Sequence, residues 1–528
     1  MQIKIDRDSK VAAYHQIYRQ VRDQIENATL GKGVKLPAIR ELASELHVAR
    51  NTVEAAYRQL SVEGYIVGKR GYGYTVEDLD FSLLGAAPQQ DQGGTSSGIG
   101  QWAGDASCTA PQQVSVNAPS GMAQQGKGGT TLASQQQIVD EVFKGSDPFG
   151  ANRSPLGDNY GCTYDFSYGN RSVSALPAGA WRSFANKALS RDSLRAAGSY
   201  IDPFGLPGLR YQLARHLAKT RGVRCSPEQI VLQPGTQFAI RAITDLLEEE
   251  HPRVAMEDPG YDGARIAFEH RGCDIVPIPA YNGLESFASF LLASNARLAF
   301  LTPANQFPIG YWLPMSARLQ IIGWARRTGA YIIEDDYCCE YRYDADNISS
   351  LQSLCPQRVI YMGTLSKILS PALRISYVVL PPELVPKWRA RHNSEFCPVA
   401  WLDQEMQRLF MESDDWDRYV HATVNLYRRR HDLLMDSIKS SMGDFVNVVG
   451  ANVGLHILLG DKHRRQQQDL IELARRNDVR VYSIDEHWVN KSHPMNNYVL
   501  LGFSSIEDEL IPEGINRLAR AWYGEALG

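Results

Sequence analysis

Met362-Gly363-Thr364-Leu365-Ser366-Lys367-Ile368-Leu369-Ser370-Pro371-Ala372-Leu373-Arg374 is the stretch from which the rest of the chain can be read. A lysine that follows small hydroxyl residues and precedes an arginine by seven positions suits pyridoxal 5′-phosphate held as a Schiff base: Lys367 supplies the amine, and Thr364 and Arg374 bind phosphate oxygens. The segment begins on Val359-Ile360-Tyr361-Met362, a strand-like apolar run. Similar runs lie upstream at Gln229-Ile230-Val231-Leu232, Arg253-Val254-Ala255-Met256, Leu298-Ala299-Phe300-Leu301 and Tyr331-Ile332-Ile333, alternating with amphipathic stretches. That alternation predicts an α/β domain with a largely parallel sheet.

The same chemistry needs an anion cradle, an acid against the pyridine nitrogen, a donor to the phenolic oxygen and a surface for the ring, and each has a candidate. Pro234-Gly235-Thr236-Gln237 lies between a predicted strand and a predicted helix, where free backbone N–H groups favour an anion. Asp335, at a strand end in Ile332-Ile333-Glu334-Asp335-Asp336-Tyr337, can keep the pyridine nitrogen protonated. Tyr337, two residues on and on the same side, can donate to the phenolic oxygen. Tyr261, in Glu257-Asp258-Pro259-Gly260-Tyr261, can stack on the ring. Taken singly, a lysine after serine is usually surface, an Asp-Asp pair a turn, and a Gly-Thr a helix start. Their joint appearance in this order argues against coincidence.

The N-terminal region has a different character. A periodic helix from Tyr14 to about Asn27 puts Ile17, Val21 and Ile25 on one face, and a second follows Leu36-Pro37 with Ile39, Leu42, Ala43 and Leu46 inward. After a turn at His47-Val48, a third helix from Asn51 to Glu63 buries Val53, Ala56, Tyr57 and Leu60 and leaves Arg50, Asn51, Thr52, Glu54 and Arg58 exposed. Gly64 to Val76 alternates and turns like a β-hairpin wing carrying Lys69 and Arg70. Together these make a winged helix-turn-helix.

Composition limits the remaining possibilities. At 528 residues and 44% hydrophobic content, two or three domains are expected, with at least one large core. A net charge of -4 confines any nucleic-acid contact to a local patch. The start Met1-Gln2-Ile3-Lys4-Ile5-Asp6-Arg7-Asp8 lacks the apolar core of a signal peptide, and no apolar run is long enough to span a bilayer, so a cytoplasmic location is expected. The 8 cysteines lack metal-ligand spacing, no metal is expected, and Cys338-Cys339 read as reduced packing residues. The reading divides the chain into a head (1–78), a linker rich in Gln, Gly, Ser and Ala (79–146) with one short helix near Ser134 to Phe143, and a body (147–528).

The head resembles the GntR family of bacterial regulators over residues 11 to 76, through Leu36-Pro37-Ala38-Ile39-Arg40, Arg50-Asn51-Thr52-Val53 and Gly71-Tyr72-Gly73. The resemblance implies DNA contacts from Arg40, Arg50, Thr52, Arg70 and Gly71, with Asn51 beside them as a further candidate for reading double-stranded operator DNA. Ala38 and Ala49 stand where that family usually has serines, so one phosphate-contacting hydroxyl and one helix cap are expected to be missing.

The body resembles fold-type I aminotransferases over about residues 160 to 525, through Gly208-Leu209-Arg210 after Asp202-Pro203, the Pro-Gly-Thr-Gln turn, Asp258-Pro259-Gly260-Tyr261, Glu334-Asp335-Asp336-Tyr337 and the lysine segment. Head, linker and body together are similar to the MocR/GabR family of transcription regulators. That resemblance implies a head-to-tail homodimer, each head over its partner's body, that binds a small amino acid or amine effector.

There are departures too. Phe307-Pro308-Ile309-Gly310 replaces Asn-Pro-x-Gly, leaving Asn305 as the substitute contact to the phenolic oxygen. No arginine precedes Gly502-Phe503-Ser504, so an effector carboxylate needs another partner, with Arg480 and Arg265 as candidates beside the plain alternative of structural ion pairs. Three readings stay open: a regulator that senses an amino compound through external aldimine formation at Lys367, an aminotransferase carrying a DNA-binding head, and a DNA-binding scaffold with an inactive body.

Overall fold

Helix formation in the head follows the apolar spacing closely. Helix α1 (Ala13–Glu26) buries Ile17, Val21 and Ile25 as predicted, together with Tyr18. Helix α2 (Ile39–Leu46) buries Leu42 and Ala43 and ends at His47, whose φ of 54° turns the chain into α3 (Arg50–Glu63). Val53, Ala56, Tyr57 and Leu60 of α3 are fully buried, and Gly64, at φ 82°, stops the helix. Strands β1 (Ile66–Lys69) and β2 (Gly73–Val76) pair antiparallel as the wing. Neither Ala38 nor Ala49 supplies a side-chain cap. At α2 the loss is partly made good by Glu41, whose Oε2 accepts from the Ala38 N–H at 3.1 Å.

The computed structural model describes residues 1–84 except 10 and 70, and 161–524 except 191–193, 196, 247–251, 282–286 and 344–347. The expected helix at Ser134 to Phe143 and the first residues of the expected body domain lie outside these.

In the body, β3 (Ile230–Gln233), β4 (Arg253–Asp258), β5 (Asp274–Pro279), β6 (Leu298–Leu301), β7 (Tyr331–Asp335), β8 (Val359–Thr364) and β9 (Ser376–Val379) form one sheet in the order β3-β9-β8-β7-β6-β4-β5. Only β9 runs against its neighbours, and the β8, β7, β6, β4 and β5 pairings are parallel. Strand β3 starts one residue later than its apolar run suggests, because Gln229 closes a short 3-10 turn, Pro227–Gln229, with its side chain bonded back to the Ser226 N–H. Helix α4 (Thr236–Thr244) follows β3, and α5 (Met315–Thr328) packs its Ala317, Ile321, Ile322 and Ala325 beneath the other half of the sheet.

A smaller layer follows: α6 (Asp414–Met442), the antiparallel strands β10 (Val446–Val449), β11 (His456–Asp461) and β12 (Tyr498–Gly502), and α7 (Ile511–Tyr523). Its core is continuous with the lysine segment through Leu365, Ile368 and Leu369.

Head and body belong to one compact unit. The head core takes in Met315 and Leu319 of α5, and Leu79, Phe81, Leu83 and Leu84 pack against it, so within this chain the head rests on its own body, where the resemblance implies the partner's. The stretch read as the start of the linker is therefore seated on the body as far as Leu84. Its apolar residues sit close together in a sequence that otherwise turns polar, which is why composition alone placed the boundary earlier.

Because α3 begins uncapped, Ala49→Ser is expected to stabilise it by about 1 kcal/mol, slowing hydrogen exchange of the first-turn amides of α3 by roughly fivefold. Unchanged exchange there would show that another group already satisfies them.

Candidate functional site

Parallel strands release their following loops at one edge of the sheet, and that edge gathers the candidate residues. Gly235 follows β3, Tyr261 follows β4, Asn305 follows β6, Tyr337 follows β7 and Lys367 follows β8, while Arg374 lies just before the reversed strand β9. Lys367 Nζ sits 4.3 Å from the centre of the Tyr168 ring. Desolvation holds this amine below its ordinary pKa, with Arg374 acting the same way and Cys338 and Asp335 opposing.

The two neighbouring aspartates divide the work. Asp336 Oδ2 accepts from Arg221 Nε at 2.5 Å and from the Tyr361 hydroxyl at 2.7 Å, so it is committed to the core. Asp335 is 4% exposed, and its Oδ1 has no hydrogen-bond partner among the described residues. Burial, reinforced by Asp336, pushes the Asp335 pKa up to about 8 despite the Lys367 amine nearby. Both polar atoms of the buried Asn305 amide are likewise without partners. Buried polar groups are normally paired, so this pair of orphans marks a place where a polar ligand completes the bonding.

A phosphate cradle stands beside them. Gly235 has φ 112°, and a Cβ there would fall 2.0 Å from Arg374 Nη2, so only glycine lets the guanidinium lie over the start of α4. Gly235, Thr236 and Gln237 present the N-terminal amides of that helix. Arg374 also donates to the Pro371 carbonyl at 3.2 Å, and the Thr364 hydroxyl donates to Ser366 Oγ at 3.0 Å. Fixed N–H groups, an arginine, an amine held below its ordinary pKa by desolvation and a carboxyl oxygen without a partner fit pyridoxal phosphate.

Several residues at this edge carry no warning in the sequence. Gly169 approaches so closely that a Cβ there would lie 3.0 Å from Lys367 Nζ. Phe307 is ringed by Tyr168, Tyr261, Tyr337, His456 and His487 at centroid distances of 4.7 to 6.2 Å. His456 Nε2 bonds to the Pro308 carbonyl at 2.8 Å, and burial holds its pKa at about 4, so it is neutral. Arg171 donates to the Lys367 carbonyl at 2.7 Å and, more closely still, to that of Ile368. Apart from Phe307, which stands in the motif where an asparagine is expected, no local spacing flags these residues, since each arrives from a segment remote in sequence.

The remaining candidates fall elsewhere. Arg265 pairs with Glu269 at 3.3 Å and donates to the Glu486 carbonyl at 2.9 Å, on the helix that follows Tyr261. Arg480 lies over the Tyr482 ring at 5.1 Å, opposite Asp165 in a short parallel strand pair. On the head, Arg40, Arg50, Asn51 and Gly71 are exposed and Thr52 is half-buried. Arg70 lies outside the described residues.

Comparison with known proteins agrees with this geometry. A family model described as "Bacterial regulatory proteins, gntR family" matches residues 13–76, and one described as "Aminotransferase class I and II" matches residues 165–483. The uncharacterized HTH-type transcriptional regulator YhdI of Bacillus subtilis is 30% identical over 98% of this chain and 97% of its own length. The probable rhizopine catabolism regulatory protein MocR of Rhizobium meliloti is 27% identical over 98% and 95%. Among solved structures, the α-aminoadipate aminotransferase LysN of Thermus thermophilus, 24% identical, superposes with a TM-score of 0.61 over 68% of this chain and 92% of that one, which shows the shared fold.

Since folded Asp335 keeps its proton until about pH 8 and an unfolded aspartate releases it near pH 4, the folded state binds more protons between these values. Its contribution is therefore most favourable at low pH and is lost as pH rises through about 8. In cofactor-free protein, urea denaturation should show the stability of wild type relative to Asp335→Asn falling between about pH 5 and about pH 8, by at most roughly 1.4 kcal/mol per pH unit. A difference that does not vary with pH would contradict the assigned environment.

Proposed function

This chain belongs to the MocR/GabR-type transcriptional regulators, in which a GntR winged helix is joined to a class I and II aminotransferase body, and from that premise we propose that it is a pyridoxal phosphate-dependent DNA-binding regulator that senses a small amino acid or amine at Lys367. The observation that carries this reading is a desolvated Lys367 amine near a buried Asp335 whose Oδ1 has no partner among the described residues, in a chain that also bears an exposed arginine on α3.

When bound, pyridoxal phosphate supplies an aldehyde carbon on which one amine can replace another. The chain's own residues do the rest. Desolvation holds the Lys367 amine below its ordinary pKa, which favours the neutral form that would bond to that carbon. Asp335 would face the pyridine nitrogen, Asn305 and Tyr337 would serve the phenolic oxygen, Tyr261 would back the ring, and Gly235, Thr236, Gln237, Thr364 and Arg374 would hold the phosphate. Arg480 or Arg265 receives the effector's carboxylate, in place of the arginine that is absent at Leu500 and Leu501 before Gly502. Arg40, Arg50, Asn51, Thr52, Arg70 and Gly71 meet the operator. Two chains associate head to tail, and an effector that favours one arrangement re-spaces the heads on two half-sites.

Fluorescence anisotropy with a duplex from upstream of the chain's own gene tests this, with pyridoxal phosphate and a panel of amines. Lys367→Ala is expected to lose both the visible absorbance of bound cofactor and the ligand-dependent change in DNA affinity, and survival of both would overturn the reading. Sustained keto-acid formation from an amino donor would instead make the body an enzyme. Arg50→Ala should weaken DNA binding by roughly tenfold, about 1.4 kcal/mol, as expected for loss of a base contact, and unchanged affinity would remove Arg50 from the interface.

A further inference from the structure

Two chain segments leave the candidate site and meet on one side chain. The first begins at Asn305 and Phe307 and reaches Trp312 within a few residues. It is braced throughout: the Gln306 N–H donates to the Tyr311 carbonyl at 2.7 Å, the Gly310 N–H to the Gln306 carbonyl at 2.6 Å and the Leu313 N–H to the Pro303 carbonyl at 2.9 Å. Gln306 Nε2 donates to the Pro259 carbonyl at 2.7 Å, joining it to the Tyr261 loop. These bonds tie the loop to itself and to the Tyr261 loop.

The second segment runs on from Asp335 and Tyr337. At Tyr341 its hydroxyl donates to the Lys367 carbonyl at 3.0 Å. The next residue, Arg342, lays its guanidinium over the Trp312 ring at 4.3 Å from the centre.

Trp312 touches the head. Its Nε1–H donates to the Val62 carbonyl at 2.8 Å, in the last turn of α3. That turn is seated tightly, since a Cβ on Gly64 would come within 3.0 Å of Pro314 Cβ and 3.1 Å of the Met315 nitrogen. The opposite end of α3 carries Arg50, Asn51 and Thr52. A shift at the carboxyl end of a rigid helix therefore reaches the residues that face DNA.

We propose that Trp312 is the positioning residue through which the cofactor pocket sets the seating of α3, gathering the motion of the Asn305–Phe307 loop and of the Lys367–Tyr341–Arg342 segment onto the Val62 carbonyl. This rests on the sensing function proposed above. Trp312 is neither one of the candidate cofactor residues nor one of the DNA-facing ones, so its replacement is expected to leave both binding events in place and to remove the link between them. Phenylalanine keeps the ring packing and deletes the N–H donor, and Arg342→Gln tests the second arm through a different side chain.

The experiment uses the full-length chain as wild type, Trp312→Phe and Arg342→Gln. DNA affinity is measured without cofactor, with pyridoxal phosphate, and with pyridoxal phosphate plus each of the common L-amino acids. Wild type is expected to change affinity by at least about fivefold under one of these ligands. Each variant is expected to bind cofactor and bare DNA within about twofold of wild type while its ligand-dependent ratio collapses towards one. Exchange of the Gly64 and Tyr65 amides should respond to ligand in wild type and not in Trp312→Phe. A Trp312→Phe or Arg342→Gln chain that keeps the wild-type ratio overturns this inference while leaving the sensing function intact. A wild-type chain that shows no ligand dependence removes both.

Discussion

Keeping one amine out of water is the constraint around which this molecule is arranged. An exposed lysine is protonated at neutral pH and is a poor nucleophile, whereas Lys367 is enclosed by Tyr168, Gly169 and the smaller layer of the body, and desolvation favours its neutral form. Enclosure of that kind requires a fixed backbone. Arg171 clamps the carbonyls of Lys367 and Ile368, Tyr341 bonds the first and Tyr419 the second. The segment is tied from three directions, and the apolar residues Leu365, Ile368 and Leu369 anchor it in the core.

The sheet supplies the rest of the site by direction. Since β3, β4, β6, β7 and β8 all point the same way, their following loops gather at one edge, and residues far apart in sequence become neighbours. Burial then assigns different tasks to similar side chains. Asp336 and Asp335 are adjacent, yet Arg221 and Tyr361 take up the first, and Asp335 keeps an unpartnered oxygen. The cost of an unpaired buried carboxyl persists in a fold where it can be offset by a ligand.

The sequence shows the residues that chemistry requires and the alternation that makes a parallel sheet, because both are local patterns. The apolar stripe of α1, the buried face of α3 and the strands at Leu298–Leu301 and Val359–Thr364 could all be read directly. Reversal of β9 could not, since Ser376–Val379 is as apolar as its neighbours and periodicity carries no direction. Phe307 looks like the loss of an asparagine, and only the fold shows that it is the centre of an aromatic cluster drawn from segments more than a hundred residues apart. Likewise, nothing near Trp312 or Val62 announces that the two meet. Tertiary contacts between remote segments leave no local trace.

The account depends most on Lys367 being the residue that carries the cofactor. Borohydride reduction of the cofactor-loaded protein, followed by peptide mass mapping, tests this directly. A phosphopyridoxyl group on the peptide that contains Lys367, and on no other lysine, is the predicted result. Labelling of a different lysine, or none in protein that binds pyridoxal phosphate, would contradict it.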